Sequence, residues 1–426
     1  MEIKGPPSSN ETIKRGEETN DLAMKAVDGR ILPTCDEHYS KSLKSQEGGE
    51  LKWDALPIDV QGSVLRKLKY EEYFQFKRVS RSARDLIEDS APFLSSQEDS
   101  VSREGSMTSL YFHFKHGEVH WSGFDLLLKT WRPLPPLQFL PVPYRNLFKC
   151  LLCAGNGLLC LYTDIENGRV LVYNPLTQFG RLLPPLNFPR NPVLMHMVAN
   201  ATSYKIIVVG SSEMLGGQIL SRKTEVYDSR TSQWEVTGDM PGVDFSLNEY
   251  QTGVFINRIL YCIAFLEDGS GKGVVAYDMD EGKWLSDWKC PLPALGNATS
   301  RSVQLVECDG GVYLFQEREI GWTREYCIDK LENVSLGGGS AKWKNIVREK
   351  QRGRRGIWSH PEFVCVSFGE GKLCILNTIR LTGKVYDNRN GGYLGPLPLN
   401  GKGHRGFHLT LNPLSFTFEP SFKSAI

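Results

Sequence analysis

The chain has almost no net charge. Its 50 Lys and Arg stand against 49 Asp and Glu, a formal charge of +1 over 426 residues, so no global field draws nucleic acid or an anionic membrane to it. Long apolar runs are also missing. None approaches the roughly 20 residues a membrane-spanning helix needs, so a soluble chain is expected. No apolar segment follows the first lysines of "MEIKGPPSSNETIKRG", and a secretory leader is not expected. The ten cysteines are accordingly expected to be reduced, in the cytoplasm and/or the nucleus. They form no zinc motif. Cys150 and Cys153 in "KCLLCAG" have no second CxxC, and a strand there would turn positions three apart to opposite faces. No P-loop, serine nucleophile elbow or zinc-protease helix is present. His113, His116 and His120 cluster in "YFHFKHGEVHW", but a strand would set His113 and His116 on opposite faces unless a turn intervenes. His404 and His408 flank a glycine-rich stretch without helical context. No catalytic residue, cofactor site or metal site is therefore assigned.

What the chain does contain falls into regions. Residues 1–50 are rich in Ser, Thr, Glu, Lys and Gly; such a segment buries too little apolar surface to offset its ordering entropy and is expected to be a disordered tail. Residues 51–95 are helical in pattern. Val60, Val64, Leu65 and Leu68 recur at helical spacing, and Pro57 sits in the first turn, where its missing N–H costs nothing. A second short helix fits Glu71 to about Arg78, and Val79, Ala83, Leu86 and Ile87 form a third apolar stripe. Three short amphipathic helices have a poor surface-to-volume ratio and are marginal alone. Their exposed faces call for a cover, either the following domain or another protein.

After a linker at 96–107, residues 108–418 change rhythm, and 419–426 form a short tail. Runs such as "GLLCLY", "YKIIVVG", "ILYCIAF", "GVYLFQ" and "KLCIL" alternate with Gly, Asn and Asp turns, an all-β signal. "VYDSRTSQW", "AYDMDEGKW" and "VYDNRNGGY" share one frame, as do "GFDLLLKTW" and, more loosely, "VYNPLTQFG". An aromatic (Phe124, Tyr173, Tyr227, Tyr277, Tyr386) precedes a polar residue and a short turn. Trp131, Trp234, Trp284 or Tyr393 follows at the seventh position, and Gly180 breaks the rule. A Leu-Pro element usually comes next. A blurred sixth copy ends at Trp343. Six copies at a spacing of about 50 residues, the kelch period, specify a six-bladed β-propeller; a seventh degenerate unit within 101–122 is the rival count. The first copy shows three strands, and "GFHLTLNPLSFTF", with Phe407, Leu409 and Leu411, can supply its innermost strand.

The helical block resembles an F-box: Leu56, Pro57, Val60, Val64, Leu65, Leu68, Val79, Arg81, Leu86 and Ile87 match that pattern, while Ala83 and Ser80 replace a frequent tryptophan and cysteine. An F-box ahead of degenerate kelch repeats is similar to the F-box/kelch-repeat proteins of flowering plants. That resemblance implies a non-catalytic substrate receptor of an SCF-type cullin–RING ubiquitin ligase. It also implies adaptor contact through Leu56, Pro57, Val60, Val64, Leu65 and Leu68, with a protein substrate held by the propeller.

Turn lengths suggest where. The a–b and c–d connections are tight, whereas "SSEMLGGQILSRK", "QEREIGWTR", "PPLQFLPVPYRN" and "VREKQRGRRGIWSHP" read as long b–c and d–a connections, which share one face of a propeller. Trp322, Arg324, Arg354, Arg355, Trp358 and His360 fall in them, and aromatics beside Arg are the composition of a protein hot spot. The opposing reading is a propeller enzyme or glycan-binding lectin whose helical block only caps the ring.

Overall fold

The computed structural model describes residues 53–65, 72, 107–115, 118–125, 129–137, 151–164, 169–190, 192–200, 202–211, 221–240, 253–266, 271–294, 299–320, 323–333, 341–351, 363–377, 382–397 and 418. The tail at 1–50, the third helical stripe and most of the second helix lie outside them. A 3-10 turn, Trp53–Ala55, leads into α1 (Ile58–Leu65), the one α-helix delimited among the described residues, where three helices were expected over 51–95. Only Glu72 of the second predicted helix is described, and it is helical.

All other elements are antiparallel strands. β1 (Met107–Lys115), β2 (Glu118–Asp125) and β3 (Thr130–Leu137) form a three-stranded sheet. Five four-stranded blades follow. The first runs from β4 (Leu152–Gly155) through β5 (Leu158–Asp164) and β6 (Arg169–Asn174) to β7 (Phe179–Leu182). The second contains β8 (Leu194–Ala199), β9 (Tyr204–Val209), β10 (Lys223–Asp228) and β11 (Gln233–Asp239). The third contains β12 (Val254–Ile256), β13 (Ile259–Phe265), β14 (Lys272–Asp278) and β15 (Lys283–Pro291). The fourth contains β16 (Thr299–Cys308), β17 (Gly311–Ile320), β18 (Thr323–Glu332) and β19 (Lys342–Gln351). The fifth contains β20 (Phe363–Ser367), β21 (Lys372–Asn377), β22 (Thr382–Asp387) and β23 (Tyr393–Pro396). The described residues thus make five complete blades, where six were expected. The strand at Phe407, Leu409 and Leu411 lies outside them.

The repeat frame is a cross-strand register. Phe124 lies opposite Trp131, Tyr227 opposite Trp234, Tyr277 opposite Trp284 and Tyr386 opposite Tyr393. The rings pack at centroid distances of 5.7, 5.3, 5.1 and 5.8 Å, the separation at which aromatic pairs attract. Gly180 faces Tyr173 at the same station, and Leu331 faces Trp343 in the blurred copy. The polar residue of the frame closes the turn with its own side chain. Oδ1 of Asn174, Asp228, Asp278 and Asp387 accepts the backbone N–H two residues on, at 2.8–2.9 Å.

Blades are joined by their seams. One buried cluster unites the first and second blades through Cys160, Val172, Met195 and Ile206, and further clusters unite each successive pair up to the fifth. The last lies between the fifth blade (Val364, Val366, Cys374, Leu376, Val385) and Phe124 and Trp131 of the three-stranded sheet. The indoles strengthen these seams. Trp234 Nε1 donates to the Pro184 carbonyl and Trp343 Nε1 to the Pro291 carbonyl, both at 2.9 Å. In these two seams the Leu-Pro element of one blade receives the tryptophan of the next, whereas Trp284 Nε1 donates to Thr224 Oγ1 on β10 at 2.9 Å.

Candidate functional site

α1 begins where Pro57 can no longer extend the preceding turn. The Pro57 carbonyl accepts from the N–H groups of Val60 and Gln61 at 3.0 and 2.9 Å. Gln61 folds back so that Nε2 donates to the carbonyls of Trp53 and Leu56 at 3.0 and 2.9 Å, which locks the 3-10 turn to the helix. Gln61 and Leu65, one turn apart, form the inner face, with Leu65 0% exposed. On the two flanks of that stripe Ile58 is 71% exposed, Val60 39% and Val64 40%. Pro57 is exposed and Leu56 half-buried. Of the residues expected to meet an adaptor, Pro57, Val60 and Val64 are on the surface and Leu65 is not, while Leu68 lies outside the described residues. Ile58, the most open of these side chains, was not singled out from the sequence, although its apolar character beside Pro57 was the available signal.

The propeller's distinctive feature is the fourth blade. Its four strands each span ten residues, against six or seven in the middle strands of the other blades, which extends the sheet by about 10 Å at ~3.3 Å per residue. "QEREIGWTR", expected to be a long connection, is mostly ladder. Pairing continues through Arg318–Glu325 and Glu319–Arg324 to Ile320–Thr323, leaving only Gly321 and Trp322 between the strands. Opposite charges face each other at two successive stations, and Arg318, Arg324 and Glu325 are buried there. Arg324 is 8% exposed and belongs to this ladder, not to an open loop. Trp322, Arg354, Arg355, Trp358 and His360 lie outside the described residues.

Around that hairpin the charges are matched. Arg318 Nε donates to Gln316 Oε1 at 3.1 Å, and its guanidinium stands 3.9 Å from Asp329. Burial pushes the Asp329 carboxyl up, against the Asn345 hydrogen bond at 2.8 Å and the charges of Arg318 and Arg348. On β19 the carboxylate of Glu349 gathers Tyr326 Oη at 2.7 Å, Tyr386 Oη and Lys384 Nζ across the seam to the fifth blade. Burial alone would raise it, but the hydrogen bonds from Lys384, Tyr386 and Tyr326 hold it below the usual carboxylate range. Lys342, Lys344, Arg348 and Lys350 on the same edge strand are exposed.

The described residues assemble no nucleophile. Their eight cysteines are buried, and burial pushes the thiols of Cys160, Cys262 and Cys365 up, away from the reactive thiolate. Cys153 stands opposite Cys160 on the β4–β5 hairpin; Cys150 lies outside the described residues. His113 lies opposite His120 in the β1–β2 register, and His116 lies outside the described residues. Among the described residues, no three His, Cys, Asp or Glu side chains are grouped as metal ligands.

Comparison with known proteins decides the family. Residues 130–375, more than half of the chain, match the F-box associated beta propeller domain, and residues 53–94 match the F-box domain. The chain belongs to the F-box-associated β-propeller family. Two Arabidopsis thaliana proteins resemble it. F-box only protein 6 is 32% identical over 247 residues, covering 54% of this chain and 47% of that one. A second F-box protein is 23% identical over 239 residues, covering 54% of this chain and 59% of its own length. The chain thus spans about half the length of the curated relatives it matches. A nidogen/laminin crystal structure superposes over 74% of this chain and 99% of its own, with a TM-score of 0.40 and 11% identity. In this F-box-associated propeller the period of about 50 residues reflects four short strands and their turns, a property of any small blade, and does not by itself specify the kelch type.

Proposed function

We propose that this F-box-associated propeller protein is the substrate-recognition subunit of an SCF-type ubiquitin ligase. Its F-box would dock on a Skp-family adaptor and, through it, on a cullin–RING ligase, while the propeller captures a protein for ubiquitination. The chain itself performs no chemistry and takes no cofactor on this reading, and it works in the cytoplasm and/or the nucleus.

The observation that carries the proposal is the apolar surface of α1 inside the matched F-box. Ile58, Val60 and Val64 stand open on the flanks of a helix whose inner face is already filled by Gln61 and Leu65. Burying each such side chain against a partner is worth about 1.5–3 kcal/mol. Adaptor contact is accordingly assigned to Leu56, Pro57, Ile58, Val60 and Val64, with Leu68 next along the chain, and Leu65 to the inside of the F-box. For the substrate, the end of the propeller carrying the long fourth-blade hairpin is favoured, because the longer strands break the ring's symmetry there. Trp322, Arg354, Arg355, Trp358 and His360 are the residues proposed at that end, and Arg324 supports them from within the ladder.

Co-expression with a Skp-family adaptor tests the docking. Val64→Asp and Ile58→Asp place a charge in an apolar contact and should cost several kcal/mol, removing most of the co-purified adaptor while circular dichroism and thermal unfolding stay unchanged. Full adaptor recovery by both variants would sink the assignment.

A further inference from the structure

The outer strand of the fourth blade differs in charge from the other outer strands. β11 carries Glu235 and Asp239 and no Lys or Arg, β23 carries no charged residue, and β7 has Arg181 alone. On β15, Lys283 and Lys289 flank Asp287, and Lys283 is paired with Glu281 at 2.5 Å. β19 instead presents Lys342, Lys344, Arg348 and Lys350, all exposed, on the edge of its sheet among the described residues. From Lys342 to Lys350 the strand rises about 26 Å, at ~3.3 Å per residue.

The fold leaves these cations poorly neutralised. Glu349, the one acidic residue of β19, is already engaged by Lys384, Tyr326 and Tyr386 across the seam. In the ladder with β18, Lys344 stands directly opposite Lys330, a like-charge pair that destabilises a sheet. Glu332 reaches Lys344 at 3.1 Å, but the two side chains are 42% and 60% exposed, so water and salt screen the contact. Arg348 stands 4.0 Å from Glu325. Among the described residues, no carboxylate is paired with Lys342 or Lys350. A bulge then divides the four. Ile328 pairs with Val347 and Asp329 with Asn345, which makes Ile346 an extra residue. Before it, Lys342 and Lys344 stand with Lys330 and Glu332 on the face toward the fifth blade; after it, Arg348 and Lys350 stand on the face toward the third.

We propose that β19 is a docking track for an acidic segment of a partner protein, bound extended along this edge. Because the cations divide between the two faces, such a segment meets them with consecutive Asp and Glu residues, not with acids at alternate positions. A second copy of the chain does not fit, since β19 laid against β19 brings Lys and Arg against Lys and Arg, a known protection of exposed edges. The chain's net charge is +1, so the attraction is local to this strand and reaches only about 8 Å at physiological salt. β19 also runs toward the end of the blade that carries the Ile320–Thr323 hairpin, so a segment held on it arrives where substrate capture is proposed. The inference rests on that reading and gives the substrate a chemical class, a protein with an acidic tract.

Fluorescence anisotropy of labelled deca-glutamate with the full chain, at about 0.15 M ionic strength, tests this. Wild type should bind. Lys342→Glu/Lys344→Glu and Arg348→Glu/Lys350→Glu should each weaken binding by about tenfold or more, while Lys283→Glu/Lys289→Glu on β15 should leave it unchanged. If a reversal lowers the thermal midpoint, Lys342→Gln/Lys344→Gln replaces it, with a smaller loss of the same sign. No binding by wild type, or wild-type affinity in both β19 variants, would overturn the proposal. So would a labelled single-stranded oligonucleotide that binds as tightly and is lost in the same variants, which would assign the track to nucleic acid. A salt-sensitive dimer in sedimentation velocity, abolished by the same variants, would assign it to a second copy and equally overturn it. The peptide is read on the chain without ligase components, and adaptor recovery is measured in parallel. Peptide binding lost with adaptor recovery intact concerns β19 alone, whereas adaptor recovery lost with peptide binding intact concerns the ligase reading alone.

Discussion

Arg190 is the most heavily bonded side chain in the seam between the first two blades. Its Nε donates to the Gly210 carbonyl at 2.9 Å, and its terminal nitrogens donate to the carbonyls of Phe188, Val208 and Lys223 at 2.7, 3.1 and 3.1 Å and to Glu225. Glu225 in turn accepts the N–H groups of Asn187 and Phe188 at 2.7 and 3.2 Å. Burial lowers the Arg190 pKa, and the paired carboxylate opposes that shift. Both side chains are almost wholly buried, so removing one leaves a charge without its counterpart. Glu225→Ala should therefore cost about 3–5 kcal/mol, read as a lower urea midpoint with an unchanged slope. Glu349 provides a test in pH. Its folded-state pKa lies below the ordinary value of 4.5, so its stabilising contribution is present above that value and fades as pH falls through the folded pKa. Wild type should exceed Glu349→Gln in stability at neutral pH, and the two unfolding curves should converge in acid. A constant gap across the whole pH range would show that the carboxylate's charge is irrelevant to the seam.

At the scale of the element, the turns do more than reverse the chain. The turn between β22 and β23 contains Gly391, at φ 70°, and a Cβ there would come within 2.0 Å of the Ile346 carbonyl oxygen on β19. Only glycine lets the fifth blade's turn rest against the fourth blade's outer strand. Gly391→Ala meets both a disfavoured backbone conformation and a backbone clash, and should destabilise by more than about 1 kcal/mol, with the thermal midpoint as readout. Gly310, with φ 67° and nothing within 4 Å, provides the control, since Gly310→Ala meets the conformational penalty alone. Much at this scale was legible in the sequence. In the second and third blades the aromatic, the Asx residue and the tryptophan are three parts of one hairpin, fixed by local register and local hydrogen bonds. What escaped was the length of the fourth blade, because Gly321-Trp322 reads equally well as part of a loop or as a tight turn, and only the continued Arg–Glu pairing distinguishes them.

At the scale of the whole molecule, the hydrophobic core is divided into seams. Each of the five blades is apolar on both faces, and each buried cluster among the described residues draws on two neighbouring sheets. This geometry explains why the repeat had to be read as an array, since a single blade with two bare faces has no stable existence alone. The sequence by itself determined the order of helical block and propeller, the strand–turn rhythm and the facing aromatics, because these depend on residues close together along the chain. It also marked Val60 and Val64 as apolar surface candidates, but assigned Leu65 to the same surface, since helical periodicity identifies a stripe without saying which edge of it is covered. Tertiary structure alone decided that Leu65 and Arg324 are buried. It also set which Leu-Pro carbonyl receives which indole, and it brought Phe124 onto the fifth blade. The indole bonds and the Phe124–Phe368 stack join segments 50 or more residues apart, where relative position is set by the packing of neighbouring sheets and not by any local preference of the chain.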